Sequence, residues 1–172
     1  MNRKTMMITD IADLRTVSVD FLTETYGYTA TKGNITTNVN SAPNIVYFGK
    51  GKFIGSFIFG QNGLRRIILD PIVPGVKEPN YPSEEYENIK KEYCVSILRE
   101  IYGSEFASDS MGKYWKKGNV IIGCCVIPEG KAQNTGGNIY AVFRWPICPM
   151  TFSYVFGNSS YQDSTPDGTK QL

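Results

Sequence analysis

The chain has 172 residues, of which 41% are hydrophobic, and its 18 basic and 16 acidic side chains leave a net charge of +2. That length suits one compact domain, or two small fused halves, with a true hydrophobic core. The near balance of charge excludes the basic footprint of a duplex-DNA binder, and 13% aromatic with only 20% charged residues excludes a disordered chain.

Residues 9–26 predict a first helix. Ile11, Leu14, Val17, Phe21 and Leu22 recur at helical spacing, and Asp10 can cap it. The β-branched content of Thr16-Val17-Ser18-Val19 pulls the other way, toward extended chain. After Gly27, the Thr-rich segments Tyr28–Lys32 and Asn34–Val39 alternate like a strand pair turning at Gly33-Asn34. Ile45–Phe48 and Phe53–Phe59 are strands joined by a turn at Gly49–Lys52. Gly60-Gln61-Asn62-Gly63 is a hairpin turn, because Asn-Gly accepts the positive φ angles that tight hairpins need, and Leu64–Asp70 completes the meander. Pro71–Pro82 holds four prolines and reads as an extended connector.

Ser83 to Tyr102 carries the strongest helical pattern. Tyr86, Ile89, Tyr93, Ile97 and Ile101 fall three and four apart, with Cys94 and Leu98 alongside, and so should line one face against a sheet. Ser83 can cap the first N–H groups, Glu84 and Glu85 suit the positive end of the dipole, and Gly103 can end the helix in the left-handed conformation. Ser104–Ser110 is then a loop, Lys113-Tyr114-Trp115 a strand, Lys116–Asn119 a turn and Val120–Ile127 a buried strand. Pro128–Gly137 is a polar loop. Asn138–Trp145 is a strand with Ile139, Ala141 and Phe143 on one face and Tyr140 and Val142 on the other. Thr151–Phe156 is a last edge strand, and 157–172 is a polar tail.

The fold class is therefore α+β, with antiparallel sheet and helices packed on one face. Leu22-Thr23-Glu24-Thr25-Tyr26-Gly27 and Leu98-Arg99-Glu100-Ile101-Tyr102-Gly103 share Leu, Glu, Tyr and Gly at identical spacing, which points to a tandem duplication of a helix-plus-meander unit. On that reading residues 1–75 and 76–156 are the two halves of one compact domain, followed by the tail. Ending an amphipathic helix this way without any duplication gives the same match.

The order of elements over residues 60–145 also resembles a known pattern. A strand Gly63-Leu64-Arg65-Arg66-Ile67-Ile68-Leu69 leads through a proline link to a helix ending in Tyr102-Gly103. A Trp115-bearing strand follows, and Val120–Cys125 with Ile139–Phe143 closes the unit. This resembles a loose group of small bacterial α+β proteins in which a helix ending in Tyr-Gly precedes a Trp-bearing strand. The architecture is similar to tandem helix-plus-sheet proteins such as the β-lactamase inhibitor protein. The resemblance implies a fold; many proteins of that group have no assigned activity.

The chemistry is bounded mainly by what is missing. There is no histidine, which excludes Ser-His-Asp and Cys-His nucleophiles, His-ligated zinc and the usual near-neutral base. The four cysteines, Cys94, Cys124, Cys125 and Cys148, include no Cys-x-x-Cys pair. Adjacent Cys124 and Cys125 point to opposite faces of a strand and cannot chelate one metal together, so no metal or other cofactor is expected. They read as small buried apolar residues in a reducing compartment, with a Cys94–Cys124 or Cys94–Cys125 disulfide as the alternative under oxidising conditions. Thr9 and Asp10 interrupt the apolar start, so Met1–Asp10 is not a signal peptide and a cytoplasmic location is expected. No apolar run reaches membrane-spanning length.

Gly49-Lys50-Gly51-Lys52 lacks the spacing and hydroxyl of a phosphate-binding loop and is a turn. Lys113-Tyr114-Trp115-Lys116-Lys117 interleaves stacking aromatics with charge, as a single-strand nucleic-acid surface would, although Tyr114 and Trp115 must point to opposite faces. The leading expectation is a non-catalytic protein-binding module of an inhibitor or immunity-like kind, with Tyr114, Trp115, Tyr140, Trp145, Lys116 and Lys117 as contacts. A rival is a histidine-independent enzyme grouping Asp70, Glu105 or Cys124 with a lysine in a cleft. A weak single-stranded nucleic-acid binder is the third reading.

Overall fold

The computed structural model describes residues 3–80, 83–110, 112–126 and 136–143. The expected strand at 151–156, the segment 157–172 and Trp145 lie outside the described residues. Ten described strands form one sheet: β1 (Met6–Ile8), β2 (Thr29–Lys32), β3 (Thr37–Asn40), β4 (Val46–Phe48), β5 (Gly51–Gly60), β6 (Gly63–Pro71), β7 (Ala107–Ser108), β8 (Gly112–Lys117), β9 (Val120–Val126) and β10 (Gly136–Val142). The order is β1-β4-β5-β6-β10-β9-β8-β7. Pairing is antiparallel except between β1 and β4. This is an α+β fold.

β5 is long enough to take two partners on one edge. β4 pairs with Gly51–Phe53 and β3 with Ser56–Phe59, and β2 continues outward from β3. β6 fills the other edge of β5, joined through the expected Gly60–Gly63 hairpin. The far edge of β6 pairs with β10, so Ile68 lies opposite Tyr140 and Leu69 opposite Ile139. Residues from both halves of the chain thus share one continuous sheet.

The first helical segment is divided where a single helix over 9–26 is expected. Asp10 accepts the Ala12 N–H and caps a short 3-10 turn, Ile11–Thr16. The chain is extended at Val17, in keeping with the restricted rotamers of β-branched residues. The Ser18 hydroxyl then accepts the Phe21 N–H at 3.0 Å and starts α1, Val19–Tyr26. The two Tyr-Gly stops also differ. Gly27 is left-handed, whereas Gly103, at φ 79° and ψ −153°, sits in an extended region open only to glycine. The shared residues end both helices, but through different caps, and the structure shows no duplication.

α2, Glu84–Tyr102, begins as the sequence predicts, with Ser83 Oγ accepting the Tyr86 N–H at 3.1 Å. Its buried face is rotated from the expected one. Lys90, Cys94, Val95, Ile97 and Leu98 are buried, Tyr86, Tyr93 and Ile101 are half-buried, and Ile89 is exposed. At the start of this stripe the Lys90 stem is buried while its ammonium reaches polar partners at the rim. α2 lies over β6, β10, β9 and β8. Its C-terminal end also approaches β5 closely: a Cβ at Gly51 would stand 2.6 Å from Ile97 Cδ1, so a side chain there would force Ile97 to shift. The core between α2, the first helical segment and the sheet holds Ile11, Leu22, Phe48, Phe53, Phe57, Leu69, Trp115 and Ile139 among others. No described helix is long and apolar enough to cross a membrane.

This packing separates two isoleucines that the periodicity alone places together. Ile97→Ala should lower stability by about 2–5 kcal/mol, as expected for a buried truncation. Ile89→Ala should change it by no more than about 0.5 kcal/mol, in line with an exposed position. Urea denaturation of both variants decides between the rotated and the expected face.

Candidate functional site

Strand alternation divides the predicted contact residues. Trp115 is 2% exposed on the α2 side of the sheet, where its Nε1–H donates to the Gly103 carbonyl at 2.8 Å. Tyr114 is fully buried on the opposite face, and its hydroxyl donates to Asp109 Oδ2 at 3.0 Å. The register places Tyr114, Gly123 and Tyr140 in one row across β8, β9 and β10. Tyr140 is only 7% exposed. Tyr114 and Tyr140 therefore share a face, Trp115 does not join them, and all three are interior side chains. Lys116 and Lys117 are exposed. Lys116 lies in the neighbouring row with Ile121, Val142 and Arg66. Trp145 is outside the described residues.

The β2–β3 ribbon, by contrast, presents exposed side chains and backbone. Every side chain of β2 is exposed, and no described strand pairs with its outer edge. The Gly33 N–H donates to the Thr36 carbonyl at 2.8 Å, which makes that pair hydrogen-bonded. Antiparallel bonds alternate, so Thr31–Asn38 and Thr29–Asn40 are bonded pairs, and Ala30 and Lys32 turn their backbone groups outward. Ile35, at the ribbon tip, is 73% exposed. An aromatic series runs from this surface inward: Phe21 edge-on to Tyr26, Tyr26 stacked on Tyr28, and Tyr28 stacked on Phe57. Burial pushes the Tyr28 hydroxyl above the ordinary tyrosine range, with the neighbouring Tyr26 adding to it. The ribbon root is thus anchored in the core while its outer edge faces solvent. Sequence patterning finds these strands but not their edge position, which depends on who pairs with whom.

Two charged clusters complete the polar surface. Lys90 Nζ lies 2.7 Å from Asp70 Oδ1 and 3.5 Å from Glu87 Oε2, over the Tyr86 ring. Burial alone would lower the Lys90 pKa, but the Asp70 hydrogen bond and charge, with Glu87, outweigh it and hold the ammonium protonated. Burial also raises the Glu87 pKa against the pull of Lys90, so Asp70 is the principal partner. The sequence signal for this site is a lysine four residues from both Tyr86 and Cys94, inside the apolar stripe. Glu105 receives two hydrogen bonds from Arg99, at 3.0 and 2.7 Å, and one from Lys113 at 3.0 Å. Arg99 first, then the Glu105 backbone and Lys113, hold this carboxyl well below the usual carboxylate range.

Asp70 and Glu105 each do stand beside a lysine, but each lysine is spent on an ion pair. Cys124 is fully buried, and burial, with the neighbouring Cys94, pushes its thiol well up. None of these groups is set as a nucleophile or free base. Among the described residues, no group of three or more cysteine, aspartate and glutamate side chains could hold a metal ion.

Asp70→Asn should lower stability at pH 7 by about 1–2 kcal/mol, a value discounted for the half-exposed carboxylate. Glu87→Gln should cost nothing or stabilise slightly, because its charged form is the disfavoured one; urea melts at pH 7 compare the two. Glu105 has a depressed folded pKa, so its contribution is complete above its ordinary value of 4.5 and is lost as pH falls below that. The stability gap between wild type and Glu105→Gln should therefore be constant at neutral pH and close under acid, as read by thermal melts across the pH range. Comparison with protein-family models, curated proteins and solved structures finds no match for this chain.

Proposed function

We propose that the protein is a non-catalytic binding module that takes an extended segment of a partner protein along the outer edge of β2. One observation carries this reading. β2 is the one strand of three or more described residues that places no side chain in a buried position, and its outer edge has no described partner. Its outward N–H and C=O groups at Ala30 and Lys32 suit main-chain pairing with an added strand. Lys32 is the single charge along the edge, so the strand has little of the charge that normally discourages such pairing. Ile35 at the tip and Phe21 beside the root offer apolar contact on either side. An inhibitor or immunity-like protein would use such a surface to grip its target.

The same geometry weakens the two rival readings. An enzyme needs a free acid, base or nucleophile, and the charged groups of the two clusters are paired. A single-strand nucleic-acid binder needs exposed rings, and Tyr114 and Trp115 are enclosed while only Lys116 and Lys117 reach solvent.

Ala30→Pro removes one outward N–H without touching a bond to β3, and proline is tolerated on an edge strand. Affinity capture from native lysate should recover a stoichiometric partner with wild type and lose it with Ala30→Pro, while the melting temperature of the two proteins stays within a few degrees. Equal recovery by both proteins, or no stoichiometric partner with wild type, would sink the proposal.

A further inference from the structure

Four cysteines in a chain without histidine leave thiol chemistry as the main covalent option, and the fold treats two of them as a pair. Cys94 is on the buried face of α2, and Cys124 is on β9 directly beneath it; both are 0% exposed. The Cys124 thiol donates to the Lys91 carbonyl at 3.5 Å, one helical turn before Cys94. Cys94 lies close enough that it adds to burial in opposing ionisation of the Cys124 thiol. Both sulfurs are free, and they belong to elements that meet only when α2 closes on the sheet.

We propose that Cys94 and Cys124 are a dithiol site that closes to a disulfide when the chain folds in the presence of a small-molecule disulfide, and that remains inert to the same oxidant once the chain is folded. The site spans helix and sheet, so the cross-link staples α2 to β9. Closure takes two exchanges. One protein thiolate attacks the small disulfide, forming a mixed disulfide and releasing one small thiol. The second protein thiolate attacks the protein sulfur of that mixed disulfide and releases the other small thiol. The protein loses two electrons and two protons, and both appear in the two small thiols. The first step needs an accessible thiolate, which the unfolded chain supplies and the folded one withholds. The second is selective because docking of α2 brings Cys94 against Cys124. A cross-link across about 30 residues restricts the unfolded chain and so favours the native state.

The test refolds the reduced full chain from denaturant in a buffer of oxidised and reduced glutathione, quenches with an alkylating agent and maps the peptides by mass spectrometry. The expected product carries one cross-link, Cys94 to Cys124, about 2 Da lighter than the reduced pair. It should melt several degrees above the reduced protein. Reduced protein that is already folded should show no cross-link in the same buffer over the same time. Refolded chain with four alkylated cysteines, a link through Cys125 or Cys148 in its place, a cross-linked form that melts below the reduced one, or equally fast cross-linking of folded protein would each overturn the proposal.

Discussion

The antiparallel pairing of β6 with β10 is the constraint on which the rest of the structure depends. β6 is bonded along both edges, to β5 from its own hairpin and to β10 from the end of the described chain. That seam turns two meanders into one sheet. It also sets where α2 can lie, because the helix must cover the apolar rows that the seam makes continuous, from Leu69 through Ile139 to Cys124. The contacts at the two ends of α2 follow from this placement. Near its start Lys90 reaches Asp70 on β6. At its end the Tyr102 hydroxyl donates to Asp10 Oδ1 at 2.8 Å and accepts the Ile11 N–H at 2.9 Å, tying the helix to the first helical segment.

The Tyr-Gly stop and the Trp strand gain a physical account from this arrangement. Tyr102 is held by Asp10, and the Gly103 carbonyl, freed by the end of the helix, accepts the Trp115 indole N–H. One helix terminus therefore satisfies its own orphan carbonyl and a buried indole in a single bond. The positive φ of Gly103 aims that carbonyl at β8, which a residue with a side chain would do only under strain. These residues form a joint between helix and sheet, and that is sufficient reason for their order in the chain.

The binding surface follows a different logic from the one composition suggests. Aromatic residues stand out in a sequence, and here Tyr114, Trp115 and Tyr140 are consumed by packing, in keeping with the large area each ring removes from water. The ribbon of β2 and β3 is compositionally plain, with threonine, alanine, asparagine and one lysine setting most of its outline. Its importance comes from position, at the outside of a sheet whose neighbours are paired. Unpaired main-chain groups carry no residue signature, so no reading of side chains alone could single it out.

Patterning and turn chemistry made the local elements legible. Ser83, the Gly60–Gly63 hairpin and the alternation of Ile139, Ala141 and Phe143 against Tyr140 and Val142 each appear in the structure where residue type places them, because caps, tight turns and strand faces depend on neighbours within a few residues. The division of residues 9–26 at Val17-Ser18 was also written locally, in the β-branched run that opposed one long helix. Other features required the whole chain. The short strand β1, its parallel pairing with β4, the Lys90–Asp70 ion pair and the proximity of Cys94 to Cys124 all join residues far apart in sequence. The sequence by itself determined an α+β chain with one strong amphipathic helix and a meander. Only the tertiary structure decided which strands are left at the edges, which aromatics are enclosed and which thiols lie near each other. Those outcomes depend on the order in which strands pair, and strand order is a non-local property.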